Sequence, residues 1–131
     1  MTAAALLLCG ALALNADVHM ANGIKIGEVD VDSAIIWTRL TAHPDRNTKG
    51  IAFSPVKNPR KQAQYPELSS MQGSVTGTAG DVRVTYWPTN APKASQSTEW
   101  VTVYPNNDYT LQFELSGLSP KTKYNLLVEG T

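Results

Sequence analysis

Asp-Ser-Ala-Ile-Ile-Trp-Thr-Arg-Leu, residues 32–40, is the stretch that decides the fold. Its β-branched and aromatic residues favour a strand over a short buried helix. Side chains alternate between the two faces of a strand, so Ala34 and Ile36 share one face and Trp37 lies on the other. Both faces are largely apolar, and we therefore expect a central strand that is covered on both sides. We expect Trp37 on the core side, and Ala34 and Ile36 on an outer face that a long loop or a second domain must cover.

Length and charge limit what the chain can be. With 131 residues it fits one domain that is large enough to bury a core. Its 11 basic and 11 acidic residues give zero net charge, which argues against nucleic acid as a partner and gives no support for an electrostatic membrane anchor. Cys9 is the only cysteine, so an intrachain disulfide is excluded.

An apolar run from Ala3 to Leu14 stands at the N-terminus. Its length and the small residues that follow it predict a signal peptide over residues 1–16, with cleavage after Ala13 or Ala16. The run is too short to span a membrane, so no membrane span is predicted. The start carries no Lys or Arg, and an apolar N-terminal segment of the core remains the alternative. The signal-peptide interpretation predicts an exported protein, in the periplasm, at the cell surface or outside the cell.

Short strands separated by turn residues fill the rest of the chain. Period-2 alternation and stops at Pro, Gly, Asn and Asp predict six of them. These are Gly23–Val29, Ser33–Leu40, Asp81–Trp87, Thr98–Tyr104, Tyr109–Leu115 and Lys123–Glu129. The pattern predicts an all-β fold, an immunoglobulin/fibronectin type III-like β-sandwich over residues 20–131. Such a sandwich has a seventh strand beside the last one, and we expect this chain to lack it.

The corner before the last strand carries a second signal. Leu118, Pro120, Thr122 and Tyr124 follow one another at two-residue steps, which is typical of a tyrosine corner. In such a corner the ring of Tyr124 enters the core, and its hydroxyl bonds a backbone group near residues 118–120. An ordinary half-buried tyrosine at the end of a strand is the alternative.

Residues 54–80 form a long irregular insert. A loop of this length is often functional or lies against a partner. Its basic patch, Lys57–Lys61, suits either an anion or solvent. The glycine-rich part, Gly73–Gly80, lacks the Gly-Lys-Ser/Thr and the helix of a phosphate-binding loop, so we interpret it as a flexible arm.

Candidate metal ligands are few. Glu28, Asp30 and Asp32 alternate, and an extended backbone would place their carboxylates on one side, where they could hold Ca²⁺. A solvated turn is the alternative that we favour. His19 and His43 have no partner at ligand spacing. We therefore assign no catalytic, cofactor-binding or metal-binding residue in this chain.

Three stretches resemble one enzyme family. Residues 27–40 contain a Gly, a short acidic turn, then Ser, three apolar residues and Trp-Thr-Arg, which resembles the opening of PhoD-like alkaline phosphatases (phosphodiesterases). Residues 80–87 and 118–124 are similar to later strands of the same N-terminal domain. The resemblance covers residues 20–131, from which the insert at 54–80 departs in length.

The resemblance implies an exported metallophosphatase as the parent protein. Divalent metals of the Ca, Fe or Zn type, held by a larger catalytic domain, would generate the hydroxide that hydrolyses a small phosphoester. That domain, in the same polypeptide, would be the partner of this sandwich, and the chain by itself is expected to be inert. A free-standing fibronectin type III-like extracellular module that binds a protein or a carbohydrate is the alternative function.

Overall fold

The computed structural model describes residues 17–54 and 66–131. The predicted signal peptide and the basic patch Lys57–Lys61 lie outside the described residues. Within them, seven β-strands alternate with turns, and three single-turn 3-10 helices are the only helices. The strands are β1 Lys25–Gly27, β2 Ala34–Arg39, β3 Gly80–Pro88, β4 Gln96–Ser97, β5 Val101–Val103, β6 Thr110–Leu115 and β7 Tyr124–Gly130. The 3-10 helices are Leu68–Ser70, Pro92–Ala94 and Pro105–Asn107.

All six predicted strands are present, and one further strand was missed. The missed strand, β4, lies in a stretch of Pro, Ser and Lys that reads as a turn, and it pairs only two residues with β3. The first predicted strand is shorter than expected because Glu28 adopts a left-handed backbone conformation with φ 45°.

The strands form two antiparallel sheets. Sheet I has the order β1–β2–β6, with Trp37 opposite both Lys25 and Gln112. In sheet II, β3 is central, with β7 on one side and β4 and β5 on the other. Thr98 bridges the gap between β4 and β5, since its N–H donates to the carbonyl of Val84 at 2.9 Å and its Oγ1 accepts from the Val84 N–H at 3.0 Å. The chain is therefore an all-β sandwich; its immunoglobulin/fibronectin type III subclass stays a prediction.

The core lies between the sheets and includes the β2 face that we expected to be outside. Ala34, Ile36 and Leu40 are buried there, together with Val82, Val84, Val103, Phe113 and Leu115. Trp37 points away from this core and is only half-buried, with the Lys25 amine 5.5 Å from its ring centroid. The prediction that Trp37 lies on the core side of β2 is wrong. Compact aliphatic side chains fill much of the space between the sheets, whereas the indole lies on the outer face beneath the Lys25 amine.

The two ends of the sandwich differ. At the first, the sealed end, Leu40 and Thr41 are fully buried where β2 ends, and Val18 packs against Gly130 at the end of β7. A Cβ at Gly130 would lie 2.9 Å from the Val18 Cγ2 atom, so an alanine there would force neighbouring side chains to shift. At the second, the open end, apolar residues before the start of β2 face solvent. Ile26, Val29 and Val31 are 58%, 71% and 68% exposed.

Candidate functional site

The acidic residues before β2 form a tight turn. The Asp30 N–H donates to the carbonyl of Ser33 at 2.9 Å, and the Asp30 carboxylate accepts from the Val31 N–H at 2.7 Å. The left-handed Glu28 breaks the extended path that would align the carboxylates of Glu28, Asp30 and Asp32. Among residues 17–54 and 66–131, no three His, Cys, Asp or Glu side chains are grouped so that they could hold a metal ion. The stretch is a hydrogen-bonded turn in which Glu28, Asp30 and Asp32 are exposed.

The two histidines lie near the sealed end and act through their backbones. His19 forms an antiparallel bridge with Thr41, with N–H to carbonyl distances of 2.9 and 2.8 Å. The carbonyl of His43 accepts a hydrogen bond from Thr41 Oγ1 at 2.8 Å. These bonds position the N-terminal segment against β2.

Arg39 forms a clamp at the sealed end that joins three separate segments. Its side chain is 11% exposed and bonds the carboxylate of Asp108 through Nη2 at 2.8 Å and through Nε at 3.1 Å. Nη1 donates to Asn22 Oδ1 and to the carbonyl of Val75, both at 3.1 Å. Because the guanidinium is committed to these partners, Arg39 is a structural residue and is not a free anion-binding group. The sequence analysis assigned Arg39 no role. The signal that could have indicated one is the presence of a charged residue within an apolar strand.

The described part of the insert is bonded to the sandwich. Backbone N–H groups of Asn47 and Ala42 donate to the carbonyls of Ser74 and Thr76 at 2.8 and 2.9 Å. A Cβ on Gly77 would collide with the ring of Tyr109, so this glycine permits the close approach. Residues 73–80, which we predicted to be a flexible arm, are hydrogen-bonded along residues 40–47.

The tyrosine corner is present in its essential bond. The Ser119 N–H donates to the hydroxyl oxygen of Tyr124 at 2.9 Å. The Leu118 N–H, from the same corner, donates to the carbonyl of Asp32 at 2.8 Å and so ties the corner to the turn before β2. The ring of Tyr124 is only half-buried and lies 6.3 Å from that of Tyr86. The corner bond is confirmed, whereas the ring is less buried than predicted because it lines an open groove.

This groove lies at the open end, and its volume is about 500 Å³. Apolar side chains of both sheets and of the adjoining turns line it: Ile26, Val29, Val31, Leu118, Tyr124 and Leu126. Lys121 and Lys123 stand at its rim. An apolar wall without grouped catalytic side chains suits the burial of another apolar element better than chemistry on a substrate.

An ion pair marks the outer face of sheet II. Arg83 and Glu129 form a two-bond contact, with Nε to Oε2 at 2.8 Å and Nη2 to Oε1 at 3.3 Å, and each side chain is about one-third exposed. The hydrogen bond from Arg83 lowers the pKa of Glu129, and the same bond raises the pKa of Arg83. The Arg83 guanidinium also lies 4.6 Å from the ring centroid of Trp100. Both charges are therefore satisfied within the sheet.

With this geometry in place, comparison with known families identifies the chain. A family model described as PhoD-like phosphatase, N-terminal domain, matches residues 9–128. The chain belongs to this family. The resemblance seen in the sequence is therefore confirmed, and the free-standing binding module is not favoured.

Other comparisons add little to the PhoD-like assignment. No curated protein matches the chain. Among solved structures, the sensor domain of the anti-sigma factor RsgI4 from Pseudobacteroides cellulosolvens is similar, with 13% identity, 87% of this chain and 79% of that chain covered, and a TM-score of 0.45.

The Trp-Thr-Arg residues of β2, which carried the resemblance to the PhoD-like family, have separate structural roles. Trp37 covers the outer face of sheet I, Thr38 lies in the core and Arg39 clamps the sealed end. The family also implies a catalytic domain in the same polypeptide. Among the described residues, no helix has the length and apolar character needed to cross a membrane.

Proposed function

We propose that this chain is the accessory N-terminal domain of an exported PhoD-like alkaline phosphatase/phosphodiesterase. A catalytic domain of the same polypeptide carries out the hydrolysis of phosphomonoesters or phosphodiesters. The observation that carries the proposal is the family match over residues 9–128. The domain supplies a rigid sandwich against which the catalytic domain packs.

The side chains of the sandwich support this division of labour. Two of its guanidinium groups, on Arg39 and Arg83, already bond Asp108 and Glu129. They are therefore poorly placed to stabilise a transferring phosphoryl group. The metal centre belongs in the catalytic domain, where divalent metals of the Ca, Fe or Zn type would polarise the phosphoryl group and lower the pKa of bound water. The small phosphoester substrate is bound by the catalytic domain and not by this domain.

The test compares the chain with the longer polypeptide on an aryl phosphate diester. We expect residues 1–131 to show no turnover with any divalent metal added. The longer polypeptide should hydrolyse the diester, lose this activity on chelation and regain it with metal. Metal-dependent turnover by residues 1–131 alone, or a longer polypeptide without phosphoesterase activity, would contradict the proposal.

Export is tested separately by the N-terminus of the secreted protein. If residues 1–16 are a signal peptide, the mature chain begins between Leu14 and Asp17. Recovery of an intact Met1 from a soluble cytoplasmic fraction would contradict export and leave the domain assignment standing.

A further inference from the structure

A cavity lies on the outer face of sheet I, beside the Arg39 clamp. Its volume is about 610 Å³, within the range that is usual for small-molecule sites. It is lined by Trp37 and Arg39 of β2, by Asn22 and Asp108, and by residues of the insert between 67 and 77. We call it the indole cavity, because the half-buried Trp37 exposes indole surface to it. None of its described lining residues belongs to sheet II or to the groove at the open end.

The backbone around the indole cavity is held in place. The carbonyls of residues 74–76 each accept a hydrogen bond from the sandwich, at 2.8 to 3.1 Å, and Ser74 Oγ donates to the Ser69 carbonyl at 3.0 Å. Asp108 and Tyr109 are left-handed, with φ 54° and 58°, a conformation that a bulky residue such as tyrosine rarely adopts. Strained backbone of this kind persists where its surroundings fix it, and it is concentrated at ligand sites. The cavity is therefore formed before any ligand enters.

The charges around the indole cavity are balanced within the protein. Arg39 bonds both carboxylate oxygens of Asp108, so its guanidinium is not available to an anion. The Lys25 amine lies 5.5 Å from the ring centroid of Trp37, in the position that a ligand cation would take over the ring. Glu67, which lines the cavity, offsets the charge of Lys25. These surroundings favour a neutral ligand over an anion or a cation.

We propose that the indole cavity binds a neutral carbohydrate of one or two sugar rings. A sugar ring has C–H groups on its faces and hydroxyl groups around its edge. Its C–H hydrogens carry partial positive charge and pack favourably on the negative face of an aromatic ring. Trp37 supplies that ring, and Leu68 and Val75 of the insert add apolar surface.

Polar groups with unused bonding capacity line the same cavity. Among the described residues, the Glu67 carboxylate, the Thr76 hydroxyl and the amide nitrogen of Asn22 have no hydrogen-bond partner. The amide of Asn22 is fixed because its Oδ1 accepts from Arg39 Nη1 at 3.1 Å. The carboxylate can accept from two hydroxyls, and the amide can donate to a hydroxyl oxygen. A purely apolar ligand would leave these groups without partners.

The experiment follows the indole N–H signals of the chain by NMR during titration with cellobiose, maltose and N,N′-diacetylchitobiose. The Trp37 signal should shift saturably with at least one of these disaccharides, with a Kd of about 1 mM or tighter. The signal of Trp100, which lies on the other sheet, should stay in place. Absence of a Trp37 shift with all three would overturn the proposal. A larger effect of tetramethylammonium or inorganic phosphate on Trp37 would also overturn it, since those probes are charged.

Two variants test the assigned contacts on the disaccharide that binds. Trp37→Ala removes the stacking surface and should abolish binding in saturation-transfer NMR, whereas Trp100→Ala should retain it. Glu67→Gln should raise the Kd about tenfold, because a charged acceptor is lost. Glu114→Gln, at an exposed glutamate of sheet I outside the cavity, is its matched control and should leave the Kd unchanged.

Thermal unfolding shows whether the variants are folded, and Glu67 is exposed, so its substitution leaves the core intact. Equal losses of affinity in Glu67→Gln and Glu114→Gln would overturn the assigned site. Because binding is measured without phosphoester hydrolysis, its failure is distinct from a failure of the proposed phosphatase role.

Discussion

The sealed end and the open end of the sandwich are built from the same strands, yet they hold their side chains differently. At the sealed end, Arg39 joins the N-terminal segment, the insert and the turn before β6, and glycines allow the segments to touch. At the open end, Val29 and Val31 remain exposed, and the Tyr124 hydroxyl bonds an exposed corner. The described residues therefore close the core at one end of the domain and expose apolar surface at the other.

The largest expected effect is at the clamp. Arg39→Ala removes bonds to Asp108, Asn22 and Val75 and should lower the free energy of unfolding by about 2–3 kcal/mol. Urea denaturation measures this change. The control, Arg46→Ala, alters an exposed arginine and should shift stability by less than about 0.5 kcal/mol. Equal effects of the two substitutions would remove the distinction between the ends.

Two glycines provide a matched pair across the ends. Gly130→Ala places a Cβ against Val18 and Leu40 at the sealed end and should cost about 1–3 kcal/mol. Gly27→Ala meets nothing within 4 Å and should be neutral or stabilising by about 0.4–1 kcal/mol. Thermal unfolding of both variants decides the matter. A tolerated alanine at Gly130 would mean that the sealed end can relax.

Two buried threonines sharpen the comparison within the core. Thr41 Oγ1 accepts from the Ala21 N–H at 3.1 Å and donates to the His43 carbonyl at 2.8 Å, whereas Thr38 Oγ1 is buried without a partner. Thr41→Val should therefore destabilise by about 1–2 kcal/mol, and Thr38→Val should stabilise by about 1 kcal/mol. Chemical denaturation of the two variants should give changes in the free energy of unfolding of opposite sign. A loss of stability in Thr38→Val would show that its hydroxyl is satisfied in solution.

At the open end a smaller effect is expected from Tyr124→Phe. The hydroxyl accepts from the N–H of Ser119, which is exposed, so water can replace the lost partner. We expect a loss of at most about 1 kcal/mol in the urea midpoint analysis. A cost as large as that of Arg39→Ala would mean that the corner is as tightly integrated as the sealed end.

The smallest expected effect is the change in stability with pH that Glu129 causes. The bond from Arg83 lowers the folded-state pKa of Glu129. The ionised Glu129 therefore makes its full contribution to the free energy of unfolding above the ordinary glutamate pKa of about 4.3, and this contribution is lost as the pH falls through the lowered pKa. Glu129→Gln should flatten the stability profile in that acidic window and leave its shape unchanged near neutrality. Stability measured against pH for both proteins provides the check, and identical acidic slopes would contradict it.

Sequence patterns predicted the strands and the corner bond because both depend on local spacing. Alternation fixed the position of β6 between Tyr109 and Leu115, and the steps from Leu118 to Tyr124 placed the hydroxyl near Ser119. Alternation divides a strand into two faces and does not say which is inside, so Trp37 was assigned to the wrong one. The Arg39 clamp was missed because its partners lie 17, 36 and 69 residues away in the chain. Contacts over such separations depend on the folded topology.

The most direct test of the difference between the ends is residue-resolved hydrogen exchange on the dilute chain. The amides of Leu40 and Thr41 donate to the carbonyls of Tyr109 and His19 at 3.1 and 2.8 Å and should exchange slowly. Along β7 the rates should alternate, with a slow Leu127 between a fast Leu126 and a fast Val128, because only odd-numbered residues bond β3. Uniform protection along β7 in the dilute chain, equal to that at Leu40 and Thr41, would contradict the one-sided pairing of β7 among the described residues and the contrast between the two ends.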